Sequence, residues 1–278
     1  MPPEQVYARI PVDGREVSVD LARPVDLALQ LDFSGPQPRH FGAPRASSRP
    51  FEAPGVGFKG SVERGSSCNC DLITIVPHCN GTHTEAVGHL TRERLDAYRA
   101  TPPGLLPALL LSVTPEPADR EDSEPRPQPG DLLVTQRALE RAWPGSLPFA
   151  PRALIIRTLP NAPEKRVRDY TAQTPPYLSQ QAAQMLLSRG ILHLVVDVPS
   201  VDRAHDEGRL TAHRIFFGLP RGVVQLAAAA RPNATITELA FIPDALPDGA
   251  GLLQLQVPAL SGDAVPSRPL FYPLAGSG

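Results

Sequence analysis

Between Pro77 and Leu90 the chain reads Pro-His-Cys-Asn-Gly-Thr-His-Thr-Glu-Ala-Val-Gly-His-Leu, which places three of its seven histidines, one of its three cysteines and a carboxylate within twelve residues. Imidazole and carboxylate are the usual ligands of borderline divalent metals such as zinc and manganese, and thiolate also suits zinc. If residues 83–85 are extended, the two-residue period of a strand turns His83 and Glu85 to one face. Both can then bind a single ion. Gly81 permits a tight turn or a close backbone approach to that ion, and His89 is near enough in sequence to reach the same pocket.

The spacing of Gly81, Thr82, His83, Glu85 and His89 resembles the His-x-Gly-Thr-His-x-Asp-x-Pro-x-His signature of the cyclase family of metal-dependent hydrolases, which includes bacterial kynurenine formamidase and isatin hydrolase. Gly81, Thr82 and His83 match directly, and His89 stands at the spacing of the family's catalytic histidine. Glu85 replaces the usual Asp and Val87 the proline. The family's first ligand lies four residues before its second histidine, a position held here by Cys79, with His78 one residue earlier. Either can bind. His78 is preferred, because a one-residue bulge re-aims a side chain and an exposed thiolate is open to oxidation.

The same resemblance implies sites further along. Asp197-Val-Pro-Ser-Val-Asp202 is similar to the family's Asp-x-x-Ser-x-Asp segment, so Asp197 and Asp202 become candidates either to orient metal-bound histidines or to cap the local turn. His213 stands where the family carries a ligand of its second metal. The glutamate that usually partners it is absent at Gln225, so the role passes to Glu238, with residues 219–231 taken as an insertion. After Glu238-Leu239 an apolar strand, a Pro-Asp-Gly turn and a strand over Leu252–Val257 are expected, as in the family, and the tail around Pro266-Ser267-Arg268-Pro269 is similar too.

The implied centre has His78 and His83 on one ion, His213 and Glu238 on another, and Glu85 bridging them, with Zn2+ or Mn2+ at one or two ions per chain. Water at such a site ionises near pH 7, and His89, with an ordinary imidazole pKa of about 6.5, is the candidate general acid and base. The implied reaction cleaves a non-peptide amide C–N bond in an N-formyl aryl amide such as N-formylkynurenine, or in a cyclic amide. A lactone or ester hydrolase would use the same machinery. A non-catalytic metal- or ligand-binding protein on this scaffold is the other alternative, since Cys79, Glu85 and Gln225 depart from the family pattern.

The elements that must position these residues are strands, with few helices. Alternating runs over residues 6–10 and 15–21 predict a hairpin, and a further strand is expected over 27–33, followed by a loop over 34–54 in which His40 and Phe41 either line a pocket mouth or, the preferred reading, are ordinary loop residues. Strands are also expected over 70–76, 105–113, 153–158 and 191–197. Thr135 and Ser179 are N-caps of helices ending near Trp143 and Arg189, with Gly190 as a left-handed stop. The order strand, helix, strand from 153 to 197 is a crossover, so part of the sheet is parallel. His193 is structural, His205 is solvated, and Arg157 either reaches the site or is solvated. The fold class is therefore α/β, a mixed sheet with few helices, resembling the swivelling β/β/α domain of the cyclase family. A single domain over 1–278 is expected, with an exposed Pro-rich, acidic loop at about 114–130.

Composition narrows the partners. A formal net charge of −2 over 278 residues argues for a small-molecule substrate and against nucleic acid or an anionic membrane. Cys68, Cys70 and Cys79 are odd in number and clustered, unlike a disulfide framework. The first residues lack a basic and apolar leader, and no run nears the roughly 18 apolar residues of a membrane span. A cytoplasmic protein is expected, and the family resemblance implies a homodimer or homotetramer.

Overall fold

In the computed structural model, which describes residues 5–118 and 121–275, the chain opens with the predicted hairpin of β1 (Tyr7–Val12) and β2 (Arg15–Asp20). It then passes through β3 (Val25–Asp26), the ribbon of β4 (Ser47–Pro50) and β5 (Asp71–Thr74), the single turn α1 (Pro77–Asn80) and β6 (His83–Ala86). There follow α2 (Ala97–Ala100), β7 (Leu106–Val113), β8 (Glu116–Pro117), β9 (Leu132–Val134), α3 (Gln136–Ala142) and β10 (Ala153–Thr158). The last third holds β11 (Tyr177–Leu178), α4 (Gln180–Ser188), β12 (His193–Val196), α5 (Thr211–Phe217), β13 (Thr235–Glu238), β14 (Gly249–Gln256), β15 (Ala264–Pro266) and β16 (Arg268–Pro273).

Nine of these strands form one mixed sheet in the order β15-β6-β13-β12-β10-β7-β14-β16-β3. Its centre, β13-β12-β10-β7, is parallel, and antiparallel strands flank it on both sides. Strands β12, β10 and β7 are largely apolar without alternation because both of their faces are covered. Leu154, Ile156, Leu194 and Val196 meet α3, α4 and α5 on one face, while Ala153, Ile155 and Val195 meet Leu27, Ile242 and Phe271 on the other. The caps are as predicted: Thr135 Oγ1 accepts from Ala138 N, Ser179 Oγ from Ala182 N, and Gly190 has φ of 73°. On α4 the buried residues are Ala182, Ala183, Met185 and Leu186.

Several predicted elements take a different form. Over residues 27–33 no strand forms beyond Val25–Asp26, because the backbone donors are drawn elsewhere: Ala28 N to Asp26, Leu29 N to Thr82 Oγ1 and Ser34 N to Asp32. The strand near residue 71 is no buried element. It pairs only with β4, which lies inside the expected loop, and leaves Leu72 and Ile73 exposed. Glu238 ends a strand rather than preceding one, since Leu239 N and Ala240 N turn away to Val198 O and Val196 O. Residues 218–231 do form a closed excursion, with Arg231 N returning to Phe217 O at the end of α5.

Arg157 neither reaches the site nor faces solvent. Its guanidinium is buried and donates to Ser112 Oγ, Pro243 O, Leu246 O and Asp248, fastening the 243–248 strap to the sheet. The acidic stretch after β7 is likewise tied down: Glu116 pairs with Arg137 and Arg141, and Glu121 accepts from Gln136 N, Arg137 N and Ser179 Oγ. Residues 119 and 120 of that stretch lie outside the described residues.

Two buried groups yield tests of the sheet. Asp197, at the carboxyl end of β12, is 1% exposed, accepts from Thr158 N and Thr158 Oγ1, and pairs with the buried Lys165 Nζ at 2.9 Å. Replacing Lys165 by Met strands that carboxylate, so urea unfolding is expected to show a loss of about 3–5 kcal/mol. His193 is structural as predicted, its Nδ1 2.9 Å from Thr235 Oγ1, and burial, helped by Arg231, pushes it down to about 4. The unfolded chain then binds the extra proton between pH 6.5 and 4, and stability is lost as pH falls through that window. At most about 3 kcal/mol of that loss belongs to His193, and His193→Gln should remove it when unfolding is compared at pH 7 and pH 4.

Candidate metal centre

The site forms at the carboxyl edge of the parallel strands, where open α/β sheets place ligands. Antiparallel pairing of β6 with β13 sets His83 opposite Glu238, and β15 continues the sheet on the far side of β6. Directly opposed residues share a face, so His83 Nε2 lies 3.4 Å from Glu238 Oε2, while on the other face Thr84 Oγ1 meets Thr237 Oγ1 at 2.7 Å. The two-residue period brings Glu85 to the His83 face, as expected.

Local geometry supplies the rest. Pro77, at the first position of α1, starts the turn that carries His78, and Gly81 beyond it is extended rather than turned, its missing side chain leaving room for Leu31. The Gly81 carbonyl faces His83 Nδ1 at 2.9 Å and orients that ring. Gly88, beside His89, is required sterically: a Cβ there would fall 2.4 Å from the Leu95 carbonyl oxygen. His213 sits in the first turn of α5, where Asp202 accepts from Ala212 N, His213 N and the His213 ring at Nδ1. Asp202 thus fills both of its anticipated parts, cap and orienter. Asp197 fills neither, being committed to Lys165 and Thr158.

Glu85 is the centre of this arrangement, fully buried with Oε2 3.1 Å from His78 Nδ1 and Oε1 2.9 Å from His213 Nε2. These contacts are short but misaligned, so neither oxygen is satisfied by a hydrogen bond, and His83 Nε2 is unsatisfied as well. Three buried ligand atoms left without hydrogen bonds in one cluster fit a cation among them. One donor atom from each of His78, His83 and Glu85 lies within 4.8 Å of the others, and so do those of Glu85, His89 and His213. Glu238 joins neither triplet. Its Oε1 accepts from Val201 N at 2.8 Å and stands 3.7 Å from His213 Nε2. The Cys79 thiol is outside these sets too, and burial, reinforced by Glu238, pushes it up. Gln225 is exposed on the 218–231 excursion and does not line the cavity.

Asp263 was not anticipated. It faces His78 Nε2 at 2.9 Å and His89 Nδ1 at 3.1 Å, forming a third possible donor set with them. It stands in the short turn before β15, far in sequence from any histidine, where only its place in the Gly-Asp-Ala-Val-Pro run preceding the recognised tail marks it. Burial opposes charge on His78, but the neighbouring carboxylates of Asp263 and Glu85 push it up to about 10. His213 is raised in the same way by Glu85 and Asp202 against its burial. Burial would raise Glu85, yet the charges of His213 and His89 hold it well below the usual carboxylate range. Protons on imidazole balance the carboxylates here, and an incoming ion has to displace them.

The cluster opens into a cavity of about 360 Å³ whose walls include His40, Phe41, Cys79, Pro199 and Leu210. His40 and Phe41 therefore line the site instead of lying in an ordinary loop, whereas His205 is exposed as expected. A larger groove of about 990 Å³, lined by Arg49, Arg166 and Phe241, contains none of the clustered donors. The chemistry therefore belongs to the smaller cavity.

A family profile described as Putative cyclase matches residues 19–203. No curated protein matches the chain in sequence. Among solved structures, a predicted metal-dependent hydrolase from Bacillus stearothermophilus matches with a TM-score of 0.57 at 15% identity, covering 90% of this chain and 98% of that one. Isatin hydrolase A from Labrenzia aggregata, bound to benzyl benzoate, matches at 0.58 and 18% identity over 90% of this chain and 93% of that one. An isatin hydrolase bound to the product analogue thioisatinate matches at 0.57 and 16% identity, with 91% and 92% covered. These likenesses show a common mixed, sheet-rich fold with few helices. The profile ends before His213 and Glu238, so the approach of His213 to Glu85 and of Glu238 to His83 is read from the geometry. With well over half its length matched, the chain belongs to the putative cyclase family.

Proposed function

We propose that this protein is a metal-dependent amidohydrolase that cleaves a non-peptide C–N bond, in an N-formyl aryl amide such as N-formylkynurenine or in a cyclic amide. The observation that carries this reading is Glu85, a carboxylate sealed from water whose two oxygens face His78 and His213 without a hydrogen bond to either. The assignment is His78 and His83 on one side of Glu85, with His213 and Glu238 on the other, holding one or two ions of Zn2+ or Mn2+. A divalent ion there supplies a Lewis acid that brings the pKa of water to about 7.

The remaining work falls to side chains. With its Nδ1 proton directed at Asp263, His89 keeps Nε2 as its basic nitrogen. That nitrogen takes a proton from the attacking water and returns it to the leaving nitrogen as the C–N bond breaks. Asp263 positions the ring. The apolar wall of Phe41, Pro199 and Leu210 excludes solvent from the acyl group. The family matches include isatin hydrolases, which supports a small cyclic or aryl amide over a peptide. On this reading the whole chain acts as one catalytic domain on a small molecule; the family resemblance supports a homodimer or homotetramer, and the clustered cysteines support a cytoplasmic location. Among the described residues no helix is long and apolar enough to cross a membrane.

The donor set of His78, His89 and Asp263 favours a second reading, in which His89 is a ligand rather than the proton carrier. His89→Ala decides between them. The proposed mechanism expects turnover to fall by about 10²–10⁴ with metal content intact by elemental analysis, whereas a ligand role would lower the metal content itself. Glu85→Gln is expected to abolish metal retention after exposure to zinc or manganese, in protein purified without a metal-affinity tag. Side-by-side assays of N-formylkynurenine, isatin and small lactones should show turnover of an amide. Activity on lactones alone would identify an esterase, and none at all, with metal bound, a binding protein.

A further inference from the structure

The cavity wall includes a buried polar side chain that the metal centre does not use and that no hydrogen bond satisfies. His40 is 3% exposed and neither of its ring nitrogens has a hydrogen-bond partner among the described residues. Its ring meets that of Phe41 edge-on with centroids 4.9 Å apart, and Phe41 meets the ring of His205 at 5.8 Å. The loop that carries them is pinned on both sides: His40 N donates to Cys79 O, Tyr170 N to Arg39 O, and Gly42 N to Thr171 Oγ1. Phe41, 61% exposed, has a φ of 56°, a conformation that costs a bulky residue about 1–3 kcal/mol. An unpaired buried imidazole and a strained exposed ring thus stand side by side on the cavity wall.

Leaving a buried polar group unpaired costs about 1–3 kcal/mol, and a phenylalanine at position 40 would fill similar space without that penalty. An ion shared with the clustered ligands does not account for His40, which belongs to none of the three donor sets. Its partner therefore comes from outside the chain. Burial favours the uncharged ring, which offers one N–H donor and one acceptor nitrogen.

We infer that His40 and Phe41 are the specificity wall of the site: His40 hydrogen-bonds to a carbonyl on the part of an aryl substrate that is not cleaved, and the aromatic ring of that substrate lies against Phe41. This rests on the amidohydrolase reading and adds to it the residues that choose among aryl amides. A site built around a hydrogen bond discriminates strongly against the analogue that lacks it, because the buried group is then left unpaired.

The test uses two formamides of nearly equal shape, N-formyl-2-aminoacetophenone and N-formyl-2-ethylaniline, of which only the first has the second carbonyl. The metal-loaded full chain is expected to favour the ketone by about tenfold or more in kcat/KM. His40→Phe should erase that preference chiefly through KM, with metal content retained, and His40→Asn, which keeps a donor, should restore part of it. Phe41→Ala, at an exposed position, should fold normally and weaken both compounds by a similar factor. No preference in the wild type, an undiminished preference in His40→Phe, or loss of metal from that variant each overturns the inference. If the wild type hydrolyses neither compound, the amidohydrolase reading fails separately. Calorimetric titration of 2-aminoacetophenone and 2-ethylaniline then still decides: tighter binding of the ketone, lost in His40→Phe, upholds the role of His40, and equal binding or none overturns it.

Discussion

A carboxylate removed from water has to be met by positive charge, and in this protein that carboxylate is Glu85. Its neighbours are arranged around the requirement. His78 approaches one oxygen from the turn before the strand, His213 approaches the other from the first turn of a helix, and each imidazole is backed by a second carboxylate, Asp263 or Asp202. Glu85 itself cannot move, because β6 is held between β13 and β15. The result is a rigid anionic focus with mobile protons, suited to exchanging those protons for an ion.

The sheet explains how so much charge is tolerated in one place. Parallel strands β13, β12, β10 and β7 are covered on both faces, and polar groups appear only where those strands end. The structural groups are given partners: Asp197 takes Lys165 and Thr158, and Arg157 takes the strap carbonyls. One row of chain ends therefore contains both structural ion pairs and the candidate centre. What separates the two is satisfaction. The structural groups have found their hydrogen bonds, whereas Glu85, His83 and His40 have not. Unsatisfied buried groups in an otherwise satisfied framework are where a ligand is expected.

Departures from the family motif are absorbed by local backbone. Where the family spacing puts Cys79, the α1 turn presents His78 to Glu85 instead, and the thiol takes a place on the cavity wall. The longer Glu85 side chain still reaches both histidines because α1 and α5 approach from opposite sides of it. Gln225 is carried out to the surface on an excursion that closes on the end of α5, which leaves Glu238 as the carboxylate beside His83 and His213.

Much of this was legible in the chain because it depends on neighbours in sequence. The two-residue period puts His83 and Glu85 on one face, the hydroxyls of Thr135 and Ser179 cap their own helices, and the apolar runs within 106–113 and 153–158 form buried strands. Ligand chemistry was equally local, since residue type alone limits what imidazole and carboxylate can bind. The region around residues 27–33 and the strand after Glu238 misled for the converse reason: alternation suggests the first and the family resemblance the second, but distant groups such as Thr82 and Val198 take the backbone donors. Only the tertiary structure decided that Asp202 rather than Asp197 backs a histidine, that Asp263 bridges His78 and His89, and that His40 is sealed into the cavity unpaired. Each of those outcomes is set by strand register and loop burial between segments far apart in sequence, and side-chain identity does not encode which distant group will arrive opposite it.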